Sequence, residues 1–260
     1  MVGSGEKGIV NVILKASDVL DCFSEETPEL TLAQISARVG MPKSTTLNLL
    51  RSLEQCRLIY RNEELKSYCL GYRTLNFSYV KRQSLSIVQH AVPYLEELQE
   101  KTGEMVYLTT QSDGKIIFLD AAYASRRMSA YSISGRVFPM HSTSAGKAML
   151  AYMPQNEVEA IIARHGLEAR TPKSITEKEK LFEELAQIRS QGYSVDNEEN
   201  VLGIRCVGVA IRNREGYPTG AMSISGTVLS VKDECIPGYA ELLMRACSAL
   251  SPQANQLLNG

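Results

Sequence analysis

Apolar positions in this chain recur with two periods, and the order of those periods predicts its architecture. From Ile9 to Phe23 the residues Val12, Leu14, Ala16, Val19, Leu20 and Phe23 fit a helix. Leu32, Ile35 and Val39 continue at helical spacing behind Thr31, an N-cap residue type, and Gly40 stops the run. Pro42 suits the first position of another helix, in which Leu47, Leu50 and Leu53 form one stripe with Leu49 beside it. Short strand-like runs, Leu58 to Tyr60 and Ser67 to Leu70, flank the polar tip Arg61 to Lys66, and Gly71 ends this hairpin.

Helical spacing returns from Asn76 to Lys101 through Leu85, Val88, Val92, Leu95 and Leu98, with Pro93 as the expected kink or break. This segment is expected to connect two domains and to carry a bare apolar stripe for a partner subunit. Beyond Gly103, Met105 to Gln111 and Lys115 to Ala121 flank the turn Ser112-Asp113-Gly114, and Met128 to Ser134 alternates as a third strand. Helices are expected over Ser144 to Tyr152, Pro154 to His165 and Thr176 to Gln191, strands over Arg205 to Asn213 and Gly220 to Ser225, and a last helix over Lys232 to Ser251. Strands, then helices, then strands predict an antiparallel sheet with helices packed on it, hence an α+β fold.

Two short helices joined by a tight turn, followed by a hairpin, make a winged helix-turn-helix. An ordinary helical hairpin in a core is the plain alternative. What favours nucleic acid is the polar face of the second helix. There Thr45, Thr46 and Asn48 are placed to meet base edges, and Lys43, Ser44 and Arg51, with Arg61 and Lys66 of the wing, to hold phosphates. Charge supports this by its distribution, because the net charge of −1 alone argues against it. Thr31 to Arg82 holds nine basic residues against three acidic, whereas Gln83 onward holds 17 against 20.

The 260 residues suffice for two domains, each with its own core. No apolar run reaches a membrane span, the segment from Met1 to Gly8 lacks the apolar core of a signal peptide, and the six cysteines show no metal-ligand spacing. A cytoplasmic protein with reduced thiols, no metal and no cofactor is expected. GSGEKG near the start matches a dinucleotide fingerprint in letters, but no strand precedes it.

Ser144-Ala145-Gly146-Lys147 and Lys101-Thr102-Gly103 match two signatures of serine acyl-transferases. Their order is reversed and an S-D-N element is missing, so a hydrolase using Ser144 and Lys147 is the minor alternative. Gly135 to Ala151 instead runs from a strand through a Ser/Thr loop into a helix, whose first amides suit a small carboxylate. His141 lies nearby, and a backbone-bonded histidine is the plain reading. Asp196, Glu198 and Glu199 bring no identifiable partner for acid/base or metal chemistry. Ser223 and Ser225 share one strand face, with Cys206 on the neighbouring strand.

The segments LTLAQISARVGMPKSTTLNLLRSL, PMHSTSAGKAMLA, YSVDNEENVLGIRCVGVAI and GAMSISG resemble, in order and spacing, the IclR family of bacterial transcription factors. The resemblance covers Ile9 to about Leu250. It implies a winged helix-turn-helix over 9–71, a linker helix over 72–102 and a GAF-like effector-binding domain over 103–258. It further implies a non-enzymatic regulator of a catabolic operon, with repression expected in a family whose members repress or activate, that binds double-stranded operator DNA as a homodimer or homotetramer. By the same resemblance Ser144, Ala145, Asp196, Ile204, Cys206, Ser223 and Ser225 line a pocket for a small organic acid, with Met128 and Ala130 as apolar wall. A DNA binder without an effector is the other alternative. Leu47-Asn48 and Ser144 depart from the family's common residues, which separates this chain from any one member's operator or ligand.

Overall fold

The computed structural model describes residues 10–123 and 133–257. The described residues up to Lys81 form one compact unit and those from Arg82 onward another. GSGEKG lies outside the described residues. So do Met128, Ala130 and most of the expected third strand.

In the first unit α1 (Asn11–Leu20), α2 (Leu32–Val39) and α3 (Lys43–Gln55) pack with a three-stranded antiparallel sheet of order β1-β3-β2, where β1 is Glu29–Thr31, β2 Ile59–Asn62 and β3 Ser67–Leu70. Thr31 caps α2 through its hydroxyl, and Gln34 returns the bond to the Thr31 amide, a reciprocal capping box. Gly40 closes α2 in the left-handed conformation, at φ 66°. Pro42 stands one place earlier than expected, as the N-cap of α3 rather than its first residue. The core comprises Val19, Leu30, Ile35, Leu49, Leu50, Leu53, Ile59 and Tyr68. On α3 the buried set is Thr46, Leu49, Leu50 and Leu53, while Leu47 is only half-buried. The stripe is therefore rotated by one residue from the expected one.

α4 (Arg73–Ser84) and α5 (Ser86–Thr102) meet at Leu85, so the helix breaks there and not at Pro93. Pro93 and Gln89 are both exposed, and the Gln89 carbonyl that proline leaves without an amide lies where water can satisfy it. The expected bare stripe is also corrected. Leu85, Val88, Leu95 and Leu98 are buried in the core of the second unit, and the exposed apolar side chains are Leu75, Phe77, Tyr79 and Val80 of α4.

The second unit is built on a six-stranded antiparallel sheet of order β6-β5-β4-β9-β8-β7. Its strands are β4 (Met105–Ser112), β5 (Lys115–Ala122), β6 (Val137–Pro139), β7 (Ser194–Asn197), β8 (Ile204–Arg212) and β9 (Pro218–Thr227). Alternation divides its two faces. Val106, Leu108, Val207, Val209, Ile211, Met222 and Ile224 meet α5 and α9 (Ile236–Leu250). Tyr107 and Ala221 face the other way, into a core shared with Met149 of α6 (Ser144–Leu150), Val158 of α7 (Gln155–His165) and Leu185 of α8 (Lys178–Gln191). No described helix is long and apolar enough to cross a membrane.

Candidate functional site

On the first unit the side chains of Lys43, Ser44, Thr45, Asn48 and Arg51 are exposed along one side of α3. Thr46 is not with them. It is fully buried, and its Oγ1 donates to the Pro42 carbonyl at 3.1 Å, so it anchors the start of α3 and cannot reach a base edge. In the wing, the Asn62 side chain accepts the amides of Glu64 and Leu65, and Lys66 turns the chain at φ 50°. Arg61 pairs with Glu63 at 3.3 Å, both exposed; such a pair is weak and leaves the guanidinium open to a stronger anion. Some of the basic surplus is structural. Arg38 donates to the Cys22 carbonyl at 2.6 Å, Arg73 to that of Cys56 at 2.8 Å, and Arg82 belongs to the second unit, paired with Asp120 at 2.9 Å.

On the second unit, register sets the residues of α6's face in rows. Asp196, Cys206 and Ser225 pair across β7, β8 and β9 and continue to Met105 of β4. The next row is Ser194, Gly208, Ser223 and Tyr107. Ile204 stands on the same face at the end of β8, opposite Thr227. α6 reaches this face because two positions lack a side chain. A Cβ on Gly208 would lie 2.6 Å from the Ser144 carbonyl carbon, and one on Gly146 would lie 2.2 Å from the Met140 oxygen. Thr143 caps α6 by accepting the Gly146 amide, and Ser194 Oγ donates to the Ser144 carbonyl at 2.5 Å. Ser144 and Ala145 are thus brought beside the rows.

Burial governs the electrostatics. Asp196 is 3% exposed; its Oδ1 accepts the Glu199 amide at 2.7 Å and the Asn200 amide at 3.4 Å. Burial, reinforced by the Glu199 carboxylate, pushes its pKa up to about 7, against the opposing pull of those amides and of Lys147. Burial also raises the Cys206 thiol and the Tyr107 phenol. Cys206 donates to Ser225 Oγ at 3.1 Å.

Lys147 is 1% exposed, and its ammonium lies 2.5 Å from Glu199 Oε1 and 3.0 Å from Glu184 Oε1. An ammonium held by two carboxylates is not a free base, so Lys147 is not poised to deprotonate Ser144. Glu198 points away, to Lys173 and to the Gly203 amide at 2.9 Å. His141 Nε2 meets the Glu168 carbonyl at 3.0 Å, the backbone-bonded arrangement. It lines a cavity of about 280 Å³ with Phe138, Ile161 and Leu167, which touches none of the residues expected to bind an effector. Sequence reasoning missed Tyr107 and Ser194 as members of this face, and missed Lys147 as its buried cation. Strand alternation gives each residue a side, but only the register across β4 and β9 says which side meets α6.

The model of the IclR helix-turn-helix domain matches residues 12–63, and that of the bacterial transcriptional regulator IclR C-terminal domain matches residues 78–252. The chain belongs to the IclR family. This IclR-family chain is 32% identical over 243 residues to the HTH-type transcriptional regulator XynR of Escherichia coli K12, covering 94% of this chain and 96% of that one. It is 29% identical over 248 residues to the transcriptional repressor IclR of the same organism, covering 94% and 90%. Its fold matches the crystal structure of an IclR homolog complexed with 4-hydroxybenzoate from Microbacterium hydrocarbonoxydans, with a TM-score of 0.74 at 20% identity and 94% and 99% coverage. XynR and IclR are transcriptional regulators, and the IclR-family chain is a DNA-binding transcriptional regulator with a winged helix-turn-helix.

Proposed function

We propose that this regulator is a cytoplasmic, non-enzymatic repressor of a catabolic operon, released or retained by a small organic acid bound on the α6 face of the second sheet. The carrying observation is that the exposed side chains from Lys43 to Ser52 of α3 are cationic, hydroxyl and amide, while the second unit gathers Asp196, Cys206, Ser223 and Ser225 around the start of α6. Thr45 and Asn48 meet bases; Lys43, Ser44, Arg51, Arg61 and Lys66 hold phosphates. Residues 9–71 serve DNA binding, 72–102 link, and 103–258 bind the effector. The 4-hydroxybenzoate of the Microbacterium homolog supports a carboxylate ligand, and the repressor relative supports the sign of regulation.

The chain acts as a homodimer or larger assembly. Val12, Ile13 and Leu14 of α1 and Leu75, Phe77 and Tyr79 of α4 are at least half exposed, an apolar surface that a second copy would cover. A dimer that neutralises about eight phosphates gives a slope of log affinity against log salt near −7. Gel-shift titration on the DNA upstream of its own gene, with and without a panel of organic acids, tests both halves. A flat salt response sinks the DNA footprint, and an unchanged shift with every acid sinks the effector. A ligand coupling of roughly 1 to 3 kcal/mol between the two binding events is enough to change operator occupancy.

A further inference from the structure

The cavity of about 280 Å³ beside His141 is walled by β5, β6, the last residue of α6, α7 and the loop that follows α7. Phe138, Ile161, Ile162 and Leu167, each only half-buried, line it together with the buried Leu150 and Leu181. Its walls are tied to one another. His165 Nε2 meets the Asp113 carbonyl at 2.6 Å, Arg164 pairs with the Asp113 carboxylate, and a Cβ on Gly114 would lie 3.0 Å from the His165 ring, so the β4–β5 turn is seated on the end of α7. A hollow that is already formed needs little ordering to receive a ligand. At interior packing density it holds a body of roughly ten to fourteen non-hydrogen atoms.

The polar groups of the cavity select the ligand. A carbonyl oxygen can only accept, so the 3.0 Å contact between His141 Nε2 and the Glu168 carbonyl fixes a proton on Nε2. The neutral ring then presents a lone pair at Nδ1. That atom has no partner among the described residues and is not sealed in the packing; since His141 is only 5% exposed, the cavity it lines is the space onto which Nδ1 opens. A buried acceptor in that position favours a ligand that brings an O–H. Charge adds a second requirement. Lys115, opposite Pro139 in the sheet, and Arg170, two places beyond Glu168, line the cavity with exposed side chains that pair with no acid of a described residue. Glu168, itself exposed, is the one acidic residue of the lining, so two cations face one carboxylate and an anion is preferred.

We infer that this cavity is a second small-molecule site of the chain, and that it takes a hydroxylated aromatic carboxylate. The hydroxyl donates to His141 Nδ1, the ring lies among Phe138, Ile161 and Leu167, and the carboxylate meets Lys115 and Arg170. A flat ring suits the wall, because Phe138 already meets Phe118 edge to face at 5.5 Å. Acids of three or four carbons leave most of the hollow unfilled and forfeit its contacts. The site shares no residue with the α6 face proposed for the effector, so the two assignments stand or fall separately.

Calorimetry on the full-length chain at about pH 8, above the ordinary histidine range, tests it with three probes. 4-Hydroxyphenylacetate should bind at least about tenfold tighter than phenylacetate, which lacks the hydroxyl, and at least about fivefold tighter than 4-hydroxyphenylacetamide, which lacks the charge. The double variant Lys115→Ala, Arg170→Ala alters only exposed side chains; it should erase the preference for the acid over the amide and leave the affinity for the amide within about twofold. Ile161→Trp fills the hollow and should abolish binding of all three. If 4-hydroxyphenylacetate binds both variants as it binds wild type, it sits elsewhere and the inference is overturned, with the effector reading untouched. Equal affinity for the three probes overturns it as well, and so does a wild-type chain that binds none of them. Should Ile161→Trp fail to fold, the probe series and the double variant decide.

Discussion

The two units carry their chemistry in opposite ways. On α3 the side chains proposed to meet DNA stand in water on a helix held from behind by Leu49, Leu50 and Leu53, so the proposed recognition and the stability reside in different residues. On the α6 face of the second sheet Lys147, Asp196, Glu199, Ser223 and Ser225 are all buried, and the groups proposed to recognise a ligand are among those the fold must also tolerate. A surface site is altered at little cost to the fold. A buried polar site is not, because each removed partner strands another group.

The sharpest challenge to that contrast is Lys147→Met, which strands Glu199 and leaves Glu184 unpaired; urea denaturation should show a loss of about 3 to 5 kcal/mol. A loss under about 1 kcal/mol would make the buried cluster no different from the surface. Next in size is a pH effect. Asp196 has its folded pKa raised to about 7, so the stability it contributes is complete below the ordinary carboxylate range and is lost as pH rises from there through 7. Wild type should therefore lose stability relative to Asp196→Asn by up to about 1.4 kcal/mol per pH unit between pH 5 and 6.5, with no further change above 8. Parallel melting curves for the two chains across that range would remove the raised pKa.

Thr46→Val tests the border between the two behaviours. It deletes the bond to the Pro42 carbonyl inside an otherwise apolar stripe, and thermal melting should register a loss of about 1 kcal/mol. Base preference on a randomised operator should stay put, whereas Thr45→Val should shift it. At the small end, Arg51→Ala should change stability by no more than about 0.5 kcal/mol while lowering the salt slope by about 1 per subunit. An unaltered slope in gel-shift titration would take Arg51 off the phosphate backbone.

The legible parts of the chain share a physical property: they are local. Thr31, Gly40 and the leucines of α3 announce their helices, because caps and periodicity act within one or two turns. Thr46 was misplaced for the same reason. A stripe drawn through Leu47, Leu50 and Leu53 and one through Thr46, Leu49, Leu50 and Leu53 differ by one residue, and only packing against α1 and β2 selects between them. The break at Leu85 followed a similar course. Pro93 carries the strong local signal, yet it sits on the exposed side of α5, while the buried side of that helix is decided by the sheet beneath it. β7 was invisible as a strand because Ser194 and Asp196, its buried residues, are polar.

What the sequence determined by itself was the order of elements, the α+β class, the winged helix-turn-helix and the segregation of positive charge into it, since propensity, capping and charge are properties of neighbouring residues. What only the tertiary structure decided was the meeting of Asp196, Cys206, Ser225, Lys147 and Glu184, drawn from β7, β8, β9, α6 and α8. Strand register and the close seat of α6 on Gly208 set that meeting. Neither is written in any one segment, because a charge excess around one ammonium exists only after distant parts of the chain have been brought together out of water.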